Sequence, residues 1–385
     1  MKRFTLLTIT GLLAIGLVFA VNSAHAQGPV LFQVVLTPNE NFNNGLLAAS
    51  ASSASDIWAV GQSTIHFDGT NWTAFEAPMI LGNNESFLGG VVDISPTLAW
   101  AAGTVGEGSS NQVIEQWNGT QWSVYPNPAF PPHYSPQLFA MTATSANDIW
   151  AVGDVDEAGL LIAALFEHWD GTTWTVMTGG SGVPFLLGAS ADATNDAWAV
   201  GYNEAIIDED ATLAMHWDGT RWNTVATPSP GQGNNQLNGV VALAPNDVWA
   251  VGSYFPESHA ASLTLIEHFD GIGWAVVPSP NVGPANSYQS NRLFGVMAIS
   301  PANIYAFGSY FASDGSGHQM TLLLHWNGTS WMIVPSPDPT QGGFLSDLLF
   351  AGVTPSPGNI WIFGTEDEAP NSDTMAIHAT IKANP

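Results

Sequence analysis

The chain has 385 residues, no cysteine, and 32 carboxylates against five Lys and Arg, for a formal net charge of −27. Without cysteine there is no disulfide, no thiol catalysis and no thioether-linked lipid. With so few cations, counterion release gives no grip on nucleic acid, and anionic lipid surfaces are disfavoured for the same reason.

The first residues read as a secretory signal over 1–26. Lys2 and Arg3 form the positive start, Phe4 to Val21 the apolar stretch, and Ala24-His25-Ala26 a small-x-small cleavage site. The mature chain is expected to begin near Gln27, to be secreted or held at the cell surface, and to form one domain over 27–385. No later stretch is apolar for long enough to cross a bilayer. Of the five cations, Arg221, Arg292 and Lys382 then remain.

Phe32-Gln-Val-Val-Leu-Thr-Pro38 reads as a strand with no neighbour in sequence. After it, Trp-Ala-Val-Gly or a close variant recurs, ending at Gly61, Gly103, Gly153, Gly201, Gly252, Gly308 and Gly364, at intervals of 42 to 56 residues. A period of this size in strand-forming residues is that of a β-propeller with one blade per repeat. Residues 188–228 show one unit. Gly188 to Ala191 is a small-residue inner strand a, Ala197 to Gly201 strand b, Leu213 to Trp217 strand c, and Trp222 to Val225 strand d. Asp-Gly or Asn-Gly joins c to d at Asp68, Asn118, Asp170, Asp218, Asp270 and Asn327, which predicts type I′ hairpins with both central residues at positive φ.

The last unit stops after strand c at Met375 to Ile381. Phe32 to Pro38 repeats the spacing of Trp274 to Pro280 and Trp331 to Pro337, so the first strand is expected to supply the missing strand d. The expected fold is all-β: a seven-bladed β-propeller of four-stranded antiparallel blades, its ring closed by the N-terminal strand completing the last blade.

All 16 tryptophans lie in three columns, on strands b, c and d, which predicts blade-to-blade packing. A histidine column on strand c (His66, His168, His216, His268, His325, His378) suggests a metal ring at first sight. Strand c is two strands out from the axis, so neighbouring histidines are on the order of 15 Å apart. A shared metal needs about 2.0–2.1 Å to each nitrogen. Hydrogen bonds to Asp56, Asp148, Asp196 and Asp247 at the start of strand b are expected instead.

Strand c ends in Trp-Asp at Trp169-Asp170 and Trp217-Asp218, and Asp170-Gly-Thr-Thr-Trp174 approximates an Asp-box. On these motifs the chain resembles secreted bacterial seven-bladed propellers of the broad Kelch, WD40 and Asp-box type, over residues 32–381. The Gly-His dipeptide of WD40 repeats and the Kelch double glycine are absent. The resemblance implies the architecture and carries over no catalytic residue.

In such blades the a–b and c–d turns share one end, and the b–c and d–a loops the other. Here the loops vary and the turns do not, so binding is expected at the loop end. The candidate ligand-binding residues there are Tyr202, Tyr254, Phe255, His259, Tyr288, Arg292, Tyr310, Phe311 and His318. Asp154, Asp156, Glu157, Asp208 and Asp210 offer closely spaced oxygens for a Ca²⁺ ion, without an EF-hand pattern; no other cofactor is implied. No phosphate loop, HExxH or nucleophile-elbow pattern appears. The expected function is a monomeric binding scaffold for a protein, glycan or cation. The alternative is a lectin or glycoside hydrolase acting through loop carboxylates and tyrosines.

Overall fold

Alternating β-branched, aromatic and small residues between turn residues favour hairpins over helices. The computed structural model describes residues 30–39, 44–78, 86–106, 111–157, 160–180, 182–204, 209–257, 260–283, 290–313, 317–339, 346–368 and 371–381. The signal segment, Asp208, His259, Tyr288 and Lys382 lie outside them. The described residues hold 28 strands and no helix, so no helix there is long and apolar enough to cross a membrane.

Five sheets are separate and four-stranded, and two further sets of four are joined by one parallel bridge between Gln319 and Ser346. We number the sets from Leu46 as blades 1 to 7. In blade 4, strand a is Pro184–Ala193, b Asp196–Asn203, c Ala211–Trp217 and d Trp222–Val225, each antiparallel to the next. The seven a strands are Leu46–Ser53, Phe87–Ser95, Tyr134–Ser145, Pro184–Ala193, Asn235–Ala244, Asn291–Ser300 and Ser346–Ser356. All seven line one central cavity of about 360 Å³, the arrangement of a β-propeller.

The glycine that ends each Trp-Ala-Val-Gly has a steric cause. Every a strand carries a β-bulge opposite it, as between Leu186 and Gly188. A Cβ on that glycine would lie 1.7 to 2.0 Å from the carbonyl oxygen of the residue before the strand-a leucine in every blade. Any other residue would have to push the bulge away.

The aromatic columns pack between blades as expected. The strand-b aromatics are at most 5% exposed. All but Tyr305 meet the strand-c and strand-d aromatics of the following blade: Trp58 lies 4.9 Å from Trp117 and 5.0 Å from Trp122, and Trp150 lies 4.8 Å from Trp217 and 5.2 Å from Trp222. Phe32 stands in the tryptophan position of strand d, edge-on to Tyr305 of blade 6 at 6.0 Å. The strand after it, Gln33–Val35, pairs antiparallel with strand c of blade 7, Gln33 opposite His378. Trp361 of blade 7 in turn packs on Phe67 and Trp72 of blade 1, both at 5.3 Å.

The c–d turns differ from expectation. Their glycines have φ between 87° and 93°, but the preceding Asp or Asn does not share the positive φ, so these are not type I′ turns. The loop has four residues, with Phe67 pairing Trp72 across it in blade 1. Asp68 Oδ1 accepts the N–H groups of Thr70 and Asn71, and the other five turns repeat this. Side-chain capping of two amides is an alternative to mirror-image dihedrals, and it leaves only glycine in the left-handed region.

Candidate functional site: the loop end of the channel

Strand a starts earlier than its small residues suggest, and the added residues are the chemically varied ones. In blade 4 it begins at Pro184, not Gly188. The bulged residues Leu47, Phe139, Leu187, Phe294 and Phe350 form an apolar collar around the channel, with Asn238 and Gly89 completing it. The Phe294 and Phe350 rings are 5.0 Å apart, and Asn238 Nδ2 donates to Leu293 O at 2.7 Å.

Two residues before each bulge, on the same side of the strand, a second ring lies nearer the loop end. It holds Phe87, Gln137, Phe185, Gln236, Arg292 and Leu348, with Gly45 in blade 1. Phe87 stacks over Phe139 at 6.1 Å, and Phe185 stacks on Tyr202 at 4.8 Å and 14°. Arg292 is exposed. The other described arginine, Arg221, is at the turn end, 3.9 Å from Asp218. The signal for this ring is the residue before each recurring strand-a leucine.

Tyr202 gathers acids that are far apart in sequence. Its phenol is pushed up to about 12, by burial first and then by the charges of Asp210, Glu204 and Asp154. Asp210 accepts a hydrogen bond from Gln236 Nε2 at 3.2 Å. Asp154 is 0% exposed, and neither carboxylate oxygen has a hydrogen-bond partner among the described residues. Burial, with the charge of Asp156 adding to it, pushes Asp154 up to about 8. Asp154, Asp156 and Glu157 sit on strand b of blade 3 (Asp148–Glu157), not in a loop. Among the described residues, the acids expected to hold calcium do not converge as a group of three.

Other candidates also end strands. Tyr254 closes strand b of blade 5 and packs half-buried against an apolar cluster; Phe255, beside it, is half-buried. Tyr310 and Phe311 close strand b of blade 6 (Asn303–Phe311), where Tyr310 packs likewise. His318 is 4% exposed and lies 3.8 Å from Asp347. A further depression of about 440 Å³ between blades 2 and 3 is lined by Gln112, Asn127, Phe130, His133 and Tyr134, among others.

The histidine column is a set of hydrogen bonds within blades. His66, His168, His216 and His268 meet Asp56, Asp148, Asp196 and Asp247 at 2.7 to 2.9 Å, and His325 and His378 meet Asn303 and Asn359. Each ring lies 4.2 to 4.5 Å from the strand-b aromatic of its own blade. One residue before this column, Glu115, Glu167 and Glu267 are fully buried, a feature that sequence reasoning does not find. Burial pushes Glu167 and Glu267 up to about 7, and the Thr227 hydroxyl donates to Glu267.

No protein-family model and no curated protein matches the chain. Among solved structures it is similar to YCF48 bound to D1 peptide, at 13% identity and a TM-score of 0.57, over 92% of this chain and 99% of that one. A mutant of the Aleuria aurantia lectin in complex with α-methyl-L-fucoside aligns over 78% of this chain and 98% of its own, at 13% identity and a TM-score of 0.44. U3-55K aligns over 77% and 96%, at 10% identity and a TM-score of 0.44. These identities bear on fold alone, and the YCF48 likeness supports the propeller.

Proposed function

We propose that the mature chain is a secreted or cell-surface binding scaffold, a monomeric seven-bladed ring that meets a protein or glycan partner at its loop end. The observation that carries this is the ring of Phe87, Gln137, Phe185, Gln236 and Arg292 above the apolar collar. It combines aromatic faces, amide donors and acceptors, and a cation around one opening, as ligand sites at channel mouths do. Closure of the ring is supported by the Gln33–Val35 pairing and by the Trp361 contacts with blade 1. The D1 peptide bound to YCF48 fits the kind of partner proposed.

The test is a peptide array and a glycan array probed with the mature chain, with Arg292→Ala, and with Arg221→Ala as a turn-end control. One ligand class is expected to bind, with binding reduced at least about tenfold by Arg292→Ala and unchanged by Arg221→Ala. No binding on either array, or equal loss in both variants, refutes the proposal.

A further inference from the structure

Two positions recur where one blade hands over to the next at the loop end. The first follows the proline after strand d and accepts the N–H of a strand-c residue in its own blade. Asn281 accepts from Thr264 at 2.8 Å, Asn39 from Thr374 at 2.8 Å, and Ser229 from Thr212 at 3.1 Å. The second lies two residues before the buried leucine that precedes the bulge of strand a. Asn44, Asn235 and Asn291 occupy it, at most 2% exposed, and their amides donate to the backbone carbonyls of Ser372, Gly233 and Val282. These groups are neutral.

At the junction of blades 6 and 7 both positions are carboxylic acids. Asp338 takes the first, with the Thr321 N–H at 3.4 Å, and Asp347 takes the second, 0% exposed. The two interact directly, and Asp338 is pushed up to about 7 by burial first and then by Asp347. His318 is the third member. Ligand atoms of His318, Asp338 and Asp347 all lie within 4.8 Å of one another, and these three form the group of this kind found among the described residues.

We infer that the blade 6–blade 7 junction binds one divalent transition cation of the zinc class through His318, Asp338 and Asp347. Calcium and magnesium prefer all-oxygen ligand sets, whereas an imidazole with carboxylates suits zinc and its first-row neighbours. Ligands about 2.0–2.2 Å from a tetrahedral ion sit about 3.5 Å apart, so rotation of these side chains closes the site. A divalent charge neutralises two carboxylates that burial holds together. Asp338 is half-buried, whereas Asp347 and His318 are buried. The ion would fasten the junction at which one parallel bridge joins the two sheets.

The test is calorimetric titration of ZnCl₂ into the untagged, EDTA-treated mature chain, with Asp338→Asn, Asp347→Asn and His318→Ala beside it. The two Asn variants restore the amide used in sibling blades, so they should fold, and each circular-dichroism melt verifies this. The wild type should take up one zinc per chain. Each variant should bind it at least about tenfold more weakly. As a second readout, CoCl₂ should give a visible absorption band in the wild type that Asp338→Asn abolishes. A wild type with no stoichiometric zinc, zinc affinity unchanged in Asp338→Asn and His318→Ala, or CaCl₂ displacing zinc at equal concentration would each overturn the assignment.

Discussion

The two ends of the propeller are made by the same strands and solve opposite problems. At the turn end, the turn caps and the histidine column find their partners inside their own blade: Asp68 caps its own turn, and His66 meets Asp56 ten residues away. At the loop end, several partners come from the next blade: Tyr202 feels Asp154 from one neighbour, Gln236 reaches Asp210, and Asp347 faces Asp338. A contact closed within one repeat can be copied seven times without reference to the others. A contact between repeats is free to differ at every junction, which is where a propeller has room for a specific site.

The largest expected effect tests whether the comparison holds at all, because Phe32 to Asn39 crosses from one end to the other. Removing residues 27–39 strips blade 7 of Phe32, of the Gln33–Val35 pairing, and of the Asn39 cap on Thr374. No cooperative thermal transition should remain by circular dichroism; an unchanged melt would break the picture. Next, Trp150→Ala at the inter-blade packing should cost about 3–5 kcal/mol in chemical denaturation. Gly201→Ala, set against the Phe185 carbonyl, should cost about 1–3 kcal/mol.

A smaller, distributed effect comes from pH. Glu167, Glu267, Asp93 and Asp338 are pushed up to about 7, and Asp154 to about 8, each by burial first. Between about pH 4.5 and 7 the folded chain therefore holds protons that the unfolded chain has released. Stability must fall as pH rises across that window. Buried His325 and His378 act the other way, since their lowered values make the unfolded chain the better proton binder below about pH 6.5. Five acids outweigh two histidines, so the melting temperature should be higher at pH 5.5 than at pH 8. Glu167→Gln with Glu267→Gln should flatten the dependence; a melting temperature that climbs with pH would contradict the assignment. Smallest is the contrast between the ends themselves: His216→Ala should cost about 0.5–1.5 kcal/mol through its bond to Asp196. Exposed Arg292→Ala should leave the melt within about 0.5 kcal/mol of wild type while changing binding.

Much of the fold is legible because it is written in repeated short-range signals. The Trp-Ala-Val-Gly strands, the Asp-Gly turns and the position of Phe32 each need only spacing to interpret. The turn dihedrals are not legible in this way, because whether Asp68 reaches mirror-image φ or caps its own amides depends on side-chain geometry, and Asp-Gly accommodates both. The site is less legible. His318, Arg292 and Tyr202 stand out by residue type, yet Asp338 and Asp347 do not, one hidden behind a Pro-x-Pro segment and the other at the start of strand a.

By itself the sequence determined the repeat, the strand order and the hydrogen-bonded histidine column, because each depends on residues within one blade and on the two-residue period of a strand. Only the tertiary structure decided where strand a begins, which side chains ring the channel, and that Asp338, Asp347 and His318 converge. Those facts depend on a bulge register and on the apposition of neighbouring blades, and neither leaves a periodic trace along the chain.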